Sequence, residues 1–174
     1  MTSVRKATLQ ENVFGPKGER LIHILPIQVS EENEDYVLCI TVTRDKEVHI
    51  TFLKVLNHGL KETFVTQEVW HLDDLTLVDG KDATSDNPHL DLHFQAVYSW
   101  EASSTAAKYA FVRSLRKVNN VYLQKDIQFL NFDDDYIKEM SFFGVPEDTM
   151  LVIQLCLQAF NCICLLGSLL GASP

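Results

Sequence analysis

The feature that most constrains the fold of this chain is one amphipathic helix, which follows a long series of short strands in the sequence. In Ser103–Gln124, apolar residues recur at intervals of three and four, which places them on one face of a helix. Ser103 or Ser104 can cap the first turn, because a serine oxygen accepts from N–H groups that lack a partner within the helix. Four basic residues lie largely off this stripe: Lys108, Arg113, Arg116 and Lys117.

Seven short, β-rich segments precede this helix at hairpin spacing. The predicted strands are Arg20–Val29, Tyr36–Thr43, Glu47–Leu56, Phe64–Leu72, Leu75–Val78, Leu90–Phe94 and Ala96–Ala102. Pro26 limits the first to a sheet edge or a bulge, because proline has no N–H to donate. A short helix over Ser3–Phe14 comes before them. The pattern predicts a mainly β, α+β fold, in which the long helix covers one opening of a small sheet or barrel.

Length and charge exclude several classes of function. A chain of 174 residues fits one domain with an appendage. Its net charge of −9 argues against broad nucleic-acid binding and against unspecific attraction to acidic membranes. The N-terminus lacks the apolar stretch of a secretory signal, and the four cysteines form no CxxC motif. We therefore expect an intracellular protein with reduced thiols.

The sequence carries no recognisable catalytic motif, so we predict that the protein is not an enzyme and has no cofactor. His49, His71 and His93 fall in predicted strands and could share a sheet. Nothing in their spacing brings them together as ligands, so we expect no metal site. The acidic run at residues 133–135 is expected to be a solvated turn.

The C-terminal segment Met150–Gly171 has 22 residues and no charge, which is long enough to cross a bilayer as a helix. Three polar residues at helical spacing share one face of it, a pattern that favours a docked or oligomerising helix. A membrane anchor and a poorly ordered tail remain alternatives. Candidate contact residues are Leu151, Leu155, Phe160 and Leu165. The predicted domains are 1–130, a connector at 131–149, and the tail at 150–174.

Seven strands capped by one helix is the layout of a pleckstrin-homology (PH) domain. The pieces ERLIHI, LCITVT, VDGKDATSDNPHLDLHF, YSWEASSTAAKYAF and KVNNVYLQKDIQFLNF occur in that order between Val4 and Phe132. They resemble the N-terminal PH-like lipid-binding domain of the exocyst complex component 1 family, and SWEASSTAAKYAF is the most specific. The chain ends where that family's helical rods would begin, so it is similar to a stand-alone paralogue.

The resemblance implies a seven-stranded PH-like barrel that binds phosphatidylinositol 4,5-bisphosphate and supports vesicle tethering in exocytosis. It implies a cytoplasmic protein, peripheral at the inner face of the plasma membrane, with exocyst subunits and a Rho-type small GTPase as partners. A headgroup of this charge requires basic side chains. The candidates are Lys54, Lys61, Arg20 and His58. The first loop, SEENED, carries four carboxylates that would repel phosphates, so a protein-interaction adaptor without lipid binding is the alternative.

Overall fold

Eight strands form the framework of the part of the chain that the computed structural model describes, which is residues 2–28, 35–58 and 61–137. The strands are β1 (Arg20–Ile27), β2 (Asp35–Val42), β3 (Val48–His58), β4 (Lys61–His71), β5 (Leu77–Asp79), β6 (His89–His93), β7 (Val97–Glu101) and β8 (Gln128–Leu130). The α-helices of the described part are α1 (Thr2–Leu9), α2 (Thr105–Val118) and α3 (Asp134–Ile137).

The first sheet has the strand order β1-β2-β3-β4, with every pair antiparallel. Pro26 lies in β1, an edge strand, and this confirms the prediction made from its missing N–H. Val37–Ile40 in β2 is buried on both faces, which explains why this strand is a continuous apolar run.

The second sheet has the order β7-β6-β5-β8, and β8 pairs with β5 in parallel. The sequence does not predict β8. The two sheets meet where the N–H of Gln28 donates to the Glu101 carbonyl at 2.8 Å and the N–H of Ser103 donates to the Pro26 carbonyl at 3.0 Å. The fold is therefore mainly β with few helices, as predicted. In the described residues it has eight strands in two sheets, where the sequence predicts seven strands closed into a barrel.

Helix α2 covers the core between the sheets through one apolar face, which includes Phe111 and Leu115. Ser104 is its N-cap, since its hydroxyl accepts from the Ala107 N–H at 3.1 Å. Lys108 is completely buried, although its place in the helical pattern predicts a position off the apolar stripe. The main core also takes in residues from β8 and α3, so packing continues beyond residue 130.

A second core lies on the other face of the first sheet. Leu9 of α1 and Phe14 of the π-helical turn that follows are fully buried against it. Burial of each of these side chains is worth about 1.5–3 kcal/mol. The Gln10 side chain fixes the approach of the chain to β1, because it accepts from the Leu21 N–H at 2.7 Å and donates to the Glu19 carbonyl at 2.9 Å.

Several predictions fall outside the described residues. These are the acidic residues 31–34 of the first loop, most of the connector, and the tail with Leu151, Leu155, Phe160 and Leu165. Within the described residues, no helix has both the length and the apolar character needed to span a bilayer.

Candidate functional site

Lys54 is held at one end of the first sheet, where β1 ends, β2 begins, β3 ends and β4 begins; we call this the open end. Lys54 pairs in register with Tyr36 of β2, and its Nζ lies 5.8 Å from the centre of the Tyr36 ring. That distance is within the range of a cation–π contact. Tyr36 stacks on Phe52 with ring centres 5.1 Å apart, and Phe52 contacts Trp100 of β7 at 4.6 Å. The ammonium is thus supported by aromatic rings that reach from one sheet to the other.

These rings also form the apolar wall of a cavity of about 680 Å³ between the sheets. Its polar lining includes Lys81, His89, Asp91 and Glu101. The Lys81 ammonium donates to the Asp91 carboxylate, so that the two charges compensate each other. The volume is within the range of small-molecule sites, and Tyr36 connects the cavity to Lys54.

A cation that the sequence did not single out also reaches the open end. Arg5 of α1 donates to the Glu62 carboxylate, with Nη2 and Oε1 2.6 Å apart, and its Nη2 lies 3.4 Å from Oδ2 of Asp35. The pKa of Arg5 is raised, first by the hydrogen bond to Glu62, against the opposing effect of burial. Glu62 and Asp35 therefore neutralise Arg5 instead of leaving it for an external anion.

The structure does not bring all of the predicted headgroup residues together. Arg20 begins β1 and pairs with Val42, so it lies at the opposite end of the sheet from Lys54. There its Nη2 donates to the hydroxyl of Tyr122 at 2.7 Å. The backbones of His58 and Lys61 pair with each other where β3 turns into β4, at the open end, but their side chains lie outside the described residues.

Behind the cavity, Lys108 is a buried cation that joins α2 to the second sheet. Its ammonium donates to the carbonyls of Gly80 at 3.1 Å and His89 at 3.3 Å. It also lies 5.5 Å from the Tyr109 ring centre and 5.7 Å from that of Phe132. Burial lowers the pKa of Lys108, and nearby aspartates oppose that effect. The arrangement holds the loop between β5 and β6 against the helix.

Two histidines that the sequence appeared to scatter are direct neighbours. Strict hairpin pairing from His58 and Lys61 would place His49 opposite Trp70, but a bulge next to Phe52 shifts the register by one residue. His49 therefore pairs with His71, and their ring centres lie 4.6 Å apart. Alternation along the strands could suggest such a pair, but it could not locate the bulge.

Comparison with known proteins agrees with this architecture. The family model described as "Exocyst complex component SEC3 N-terminal PIP2 binding PH" matches residues 31–121. The matched range contains β2 to β7, the helix α2 and Lys54. This chain belongs to that exocyst family.

Relatives within the family differ greatly in length. The chain is 41% identical over 166 residues to the Mus musculus protein "Exocyst complex component 1-like", a match that covers 95% of this chain and 96% of the relative. It is 39% identical over 140 residues to Mus musculus "Exocyst complex component 1" and 24% identical over 148 residues to the Drosophila melanogaster protein of that name. Each of these two matches covers 16% of the longer protein. The predicted resemblance to the exocyst complex component 1 family is confirmed.

Proposed function

We propose that this exocyst-family chain is a PH-like module that binds phosphatidylinositol 4,5-bisphosphate at the inner face of the plasma membrane and supports vesicle tethering in exocytosis. The observation that carries the proposal is the position of Lys54. It lies at the open end of the first sheet, within the residues matched by a family model whose description names this lipid.

The positive charge of Lys54 and its contact with the Tyr36 ring make it suited to binding a phosphate headgroup. Its ammonium lies over the Tyr36 ring, which limits the directions it can take. Lys61 and His58 are proposed as further contacts, because their backbones lie at the same end. A lysine near an anionic membrane surface is worth about 1 kcal/mol. Because the chain has a net charge of −9, we expect its membrane binding to be weak. We also expect it to require this headgroup and not to extend to acidic lipids in general.

Vesicle sedimentation of the full chain tests this proposal. Vesicles of phosphatidylcholine alone, with the bisphosphate lipid, and with phosphatidylserine at matched total charge separate headgroup recognition from charge. We expect Lys54→Ala and Lys61→Ala each to weaken binding to the bisphosphate vesicles by about fivefold. Lys117→Ala, on the exposed face of α2, is the matched control. Binding that is unchanged in the Lys54→Ala, Lys61→Ala double variant would exclude the assigned site.

A protein-interaction adaptor is the second candidate, and the Arg5–Glu62 ion pair favours it. With Asp35 as a second carboxylate beside Arg5, the cluster keeps one negative charge in excess, and an acidic surface would complement a basic partner. Exocyst subunits and a Rho-type small GTPase are the partners we propose to test. Recovery of an exocyst subunit by the full chain, lost in Glu62→Lys, would support this function. Recovery of neither partner class would count against it.

The apolar tail is proposed as an additional contact with a membrane or a partner, through Leu151, Leu155, Phe160 and Leu165. Alkaline carbonate extraction of membranes that carry the full chain distinguishes an inserted tail from a peripheral one. Release into the supernatant is expected for a peripheral protein, and retention in the pellet would support a tail anchor.

A further inference from the structure

Three side chains of metal-ligating type converge at the end of the first sheet opposite Lys54. His49 of β3 faces His71 of β4, and the two rings are perpendicular. The Nε2 atom of His49 lies 3.7 Å from Oε2 of Glu47, the residue immediately before β3. One ligand atom from each of these three residues lies within 4.8 Å of the other two.

These separations are close to those of a tetrahedral metal centre. Zinc binds histidine nitrogen and carboxylate oxygen at about 2.0–2.2 Å, which places neighbouring ligand atoms about 3.3 Å apart. The site therefore needs only a small contraction. Glu47 and His71 are exposed, with 61% of the Glu47 side chain accessible, so their side chains are free to move and an ion can reach them.

A carboxylate lies behind the His49 ring, on the side away from Glu47. The ring Nδ1 lies 3.9 Å from Oε2 of Glu19, a distance that a small ring rotation would shorten to a hydrogen bond. That carboxylate oxygen accepts from the Thr41 hydroxyl at 2.7 Å, and the Glu19 N–H donates to the Phe14 carbonyl at 2.9 Å. A carboxylate behind a ligating histidine is the usual way in which proteins fix the ring and its tautomer.

The other nitrogen of this ring points to a missing ligand. Nε2 of His49 is buried and has no hydrogen-bond partner among the described residues, in a side chain that is only 13% exposed. A buried polar atom without a partner is unusual in a native structure. A metal ion at Nε2 would satisfy it.

We propose that Glu47, His49 and His71 bind one Zn²⁺ ion, with water in the fourth position, and that the ion fastens the β2–β3 turn to β4. Two imidazoles and one carboxylate form a ligand set that suits zinc, because zinc accepts nitrogen and oxygen donors in a tetrahedron. The site is independent of the proposed lipid contact, which lies at the other end of the sheet.

A second cluster, Asp79, Asp91 and His93, has a similar spacing, and Oδ1 of Asp91 and Nε2 of His93 are also buried without a hydrogen-bond partner among the described residues. The Lys81 ammonium donates to Asp91, and Asp79 accepts from the Asn131 amide at 2.8 Å. In this cluster, unlike the first, an ammonium from the described part of the chain already compensates the charge of a ligand carboxylate. This difference favours the histidine pair.

Calorimetric titration of the full chain with Zn²⁺, after removal of any affinity tag, tests the proposal. We expect wild type to bind one Zn²⁺ ion that His71→Ala either does not bind or binds at least tenfold more weakly. His71 is exposed, so its replacement should leave the fold intact. Glu47→Gln is a second exposed variant with the same expected loss. His89→Ala, which removes an exposed histidine on β6, should bind as wild type does.

Two further readouts separate this site from the tail thiols Cys156, Cys162 and Cys164. Co²⁺ in a nitrogen and oxygen site gives visible d–d bands without the near-ultraviolet thiolate band, and these visible bands should be lost in His71→Ala. Zn²⁺ should raise the melting temperature of wild type and His89→Ala but not of His71→Ala. Equal Zn²⁺ affinity in wild type and His71→Ala, or a Co²⁺ spectrum with thiolate bands alone, would overturn the proposal.

Discussion

Arg5 of α1 donates to Glu62 of β4, with Nη2 and Oε1 2.6 Å apart, and so attaches the N-terminal helix to the open end of the first sheet. The contact decides how much positive charge this end presents. Three described charges meet there, because Nη2 also lies 3.4 Å from Asp35. Two carboxylates around one guanidinium leave this cluster with a net negative charge, which opposes the approach of a phosphate headgroup to the open end.

Glu62→Gln should strengthen binding to vesicles that contain phosphatidylinositol 4,5-bisphosphate. The substitution removes one negative charge from the open end and frees Arg5 to meet the headgroup. We expect a gain of about fivefold, since one cation near an anionic surface is worth about 1 kcal/mol. Sedimentation of the full chain with matched vesicles measures it.

Glu11→Gln is the matched control, because it removes an exposed carboxylate from the π-helical turn after α1. It changes net charge by the same amount away from the open end. If both variants bind equally more tightly, net charge is responsible. If neither gains affinity, the Arg5 pair does not limit binding and the adaptor function is favoured.

The sequence predicts the framework well where local rules decide it. The first seven strands appear, with shifted ends, because alternation and turn residues act locally. The sequence does not predict β8, because Gln128–Leu130 is short and is stabilised by pairing with β5, a contact that no local pattern indicates. Lys108 was misplaced for a related reason. Its buried position depends on the carbonyls of Gly80, just after β5, and His89, the first residue of β6, which are distant in sequence.

The candidate sites depended even more on long-range geometry. The family resemblance implies Lys54 as a headgroup contact, and the structure places it at the open end. The resemblance implies Arg20 on the same grounds, but Arg20 lies at the other end of the sheet. It pairs with Val42, at the opposite end of β2 from Tyr36. The pairing of His49 with His71 depends on one bulge, which the sequence does not reveal.

Ser104→Ala should destabilise the protein, whereas Ser103→Ala should not. Only the Ser104 hydroxyl accepts from the Ala107 N–H, so its loss leaves a helix donor without a partner. The expected decrease in the free energy of unfolding is about 1 kcal/mol for Ser104→Ala. Urea denaturation of both variants measures it. Equal losses would show that the cap is not specific to Ser104.

His23 should make the protein less stable in mild acid. Burial lowers its pKa from 6.5 to about 4, with Lys6 and Arg113 acting in the same direction. The unfolded state therefore binds more protons in this window, and stability falls as pH drops from about 6.5 towards about 4. His23→Gln should reduce this slope in urea titrations at several pH values. His89→Gln removes an exposed histidine and should keep it; a slope unchanged by His23→Gln would contradict the assignment.

Replacing Lys108 should show whether a buried cation stabilises this fold. Lys108→Met fits the same space between Tyr109 and Phe132 but removes the ammonium that donates to the Gly80 and His89 carbonyls. The Gly80 carbonyl keeps the Asp82 N–H as a donor at 2.8 Å. Hydrogen bonds to a charged group are worth about 1.5–3 kcal/mol, and this is the expected decrease in the free energy of unfolding. Lys117→Met, on the exposed side of the same helix, should change stability by about 0.5 kcal/mol or less.

The same pair of variants tests the charge of Lys108 through pH. Burial lowers its pKa below the ordinary 10.5, so the folded state releases the proton first. As pH rises from the folded pKa towards 10.5, wild type should gain stability relative to Lys108→Met, because the unfolded state still binds the proton there. Lys117→Met should follow wild type throughout. A stability difference between wild type and Lys108→Met that stays constant over this range would mean that the ammonium is charged equally in both states.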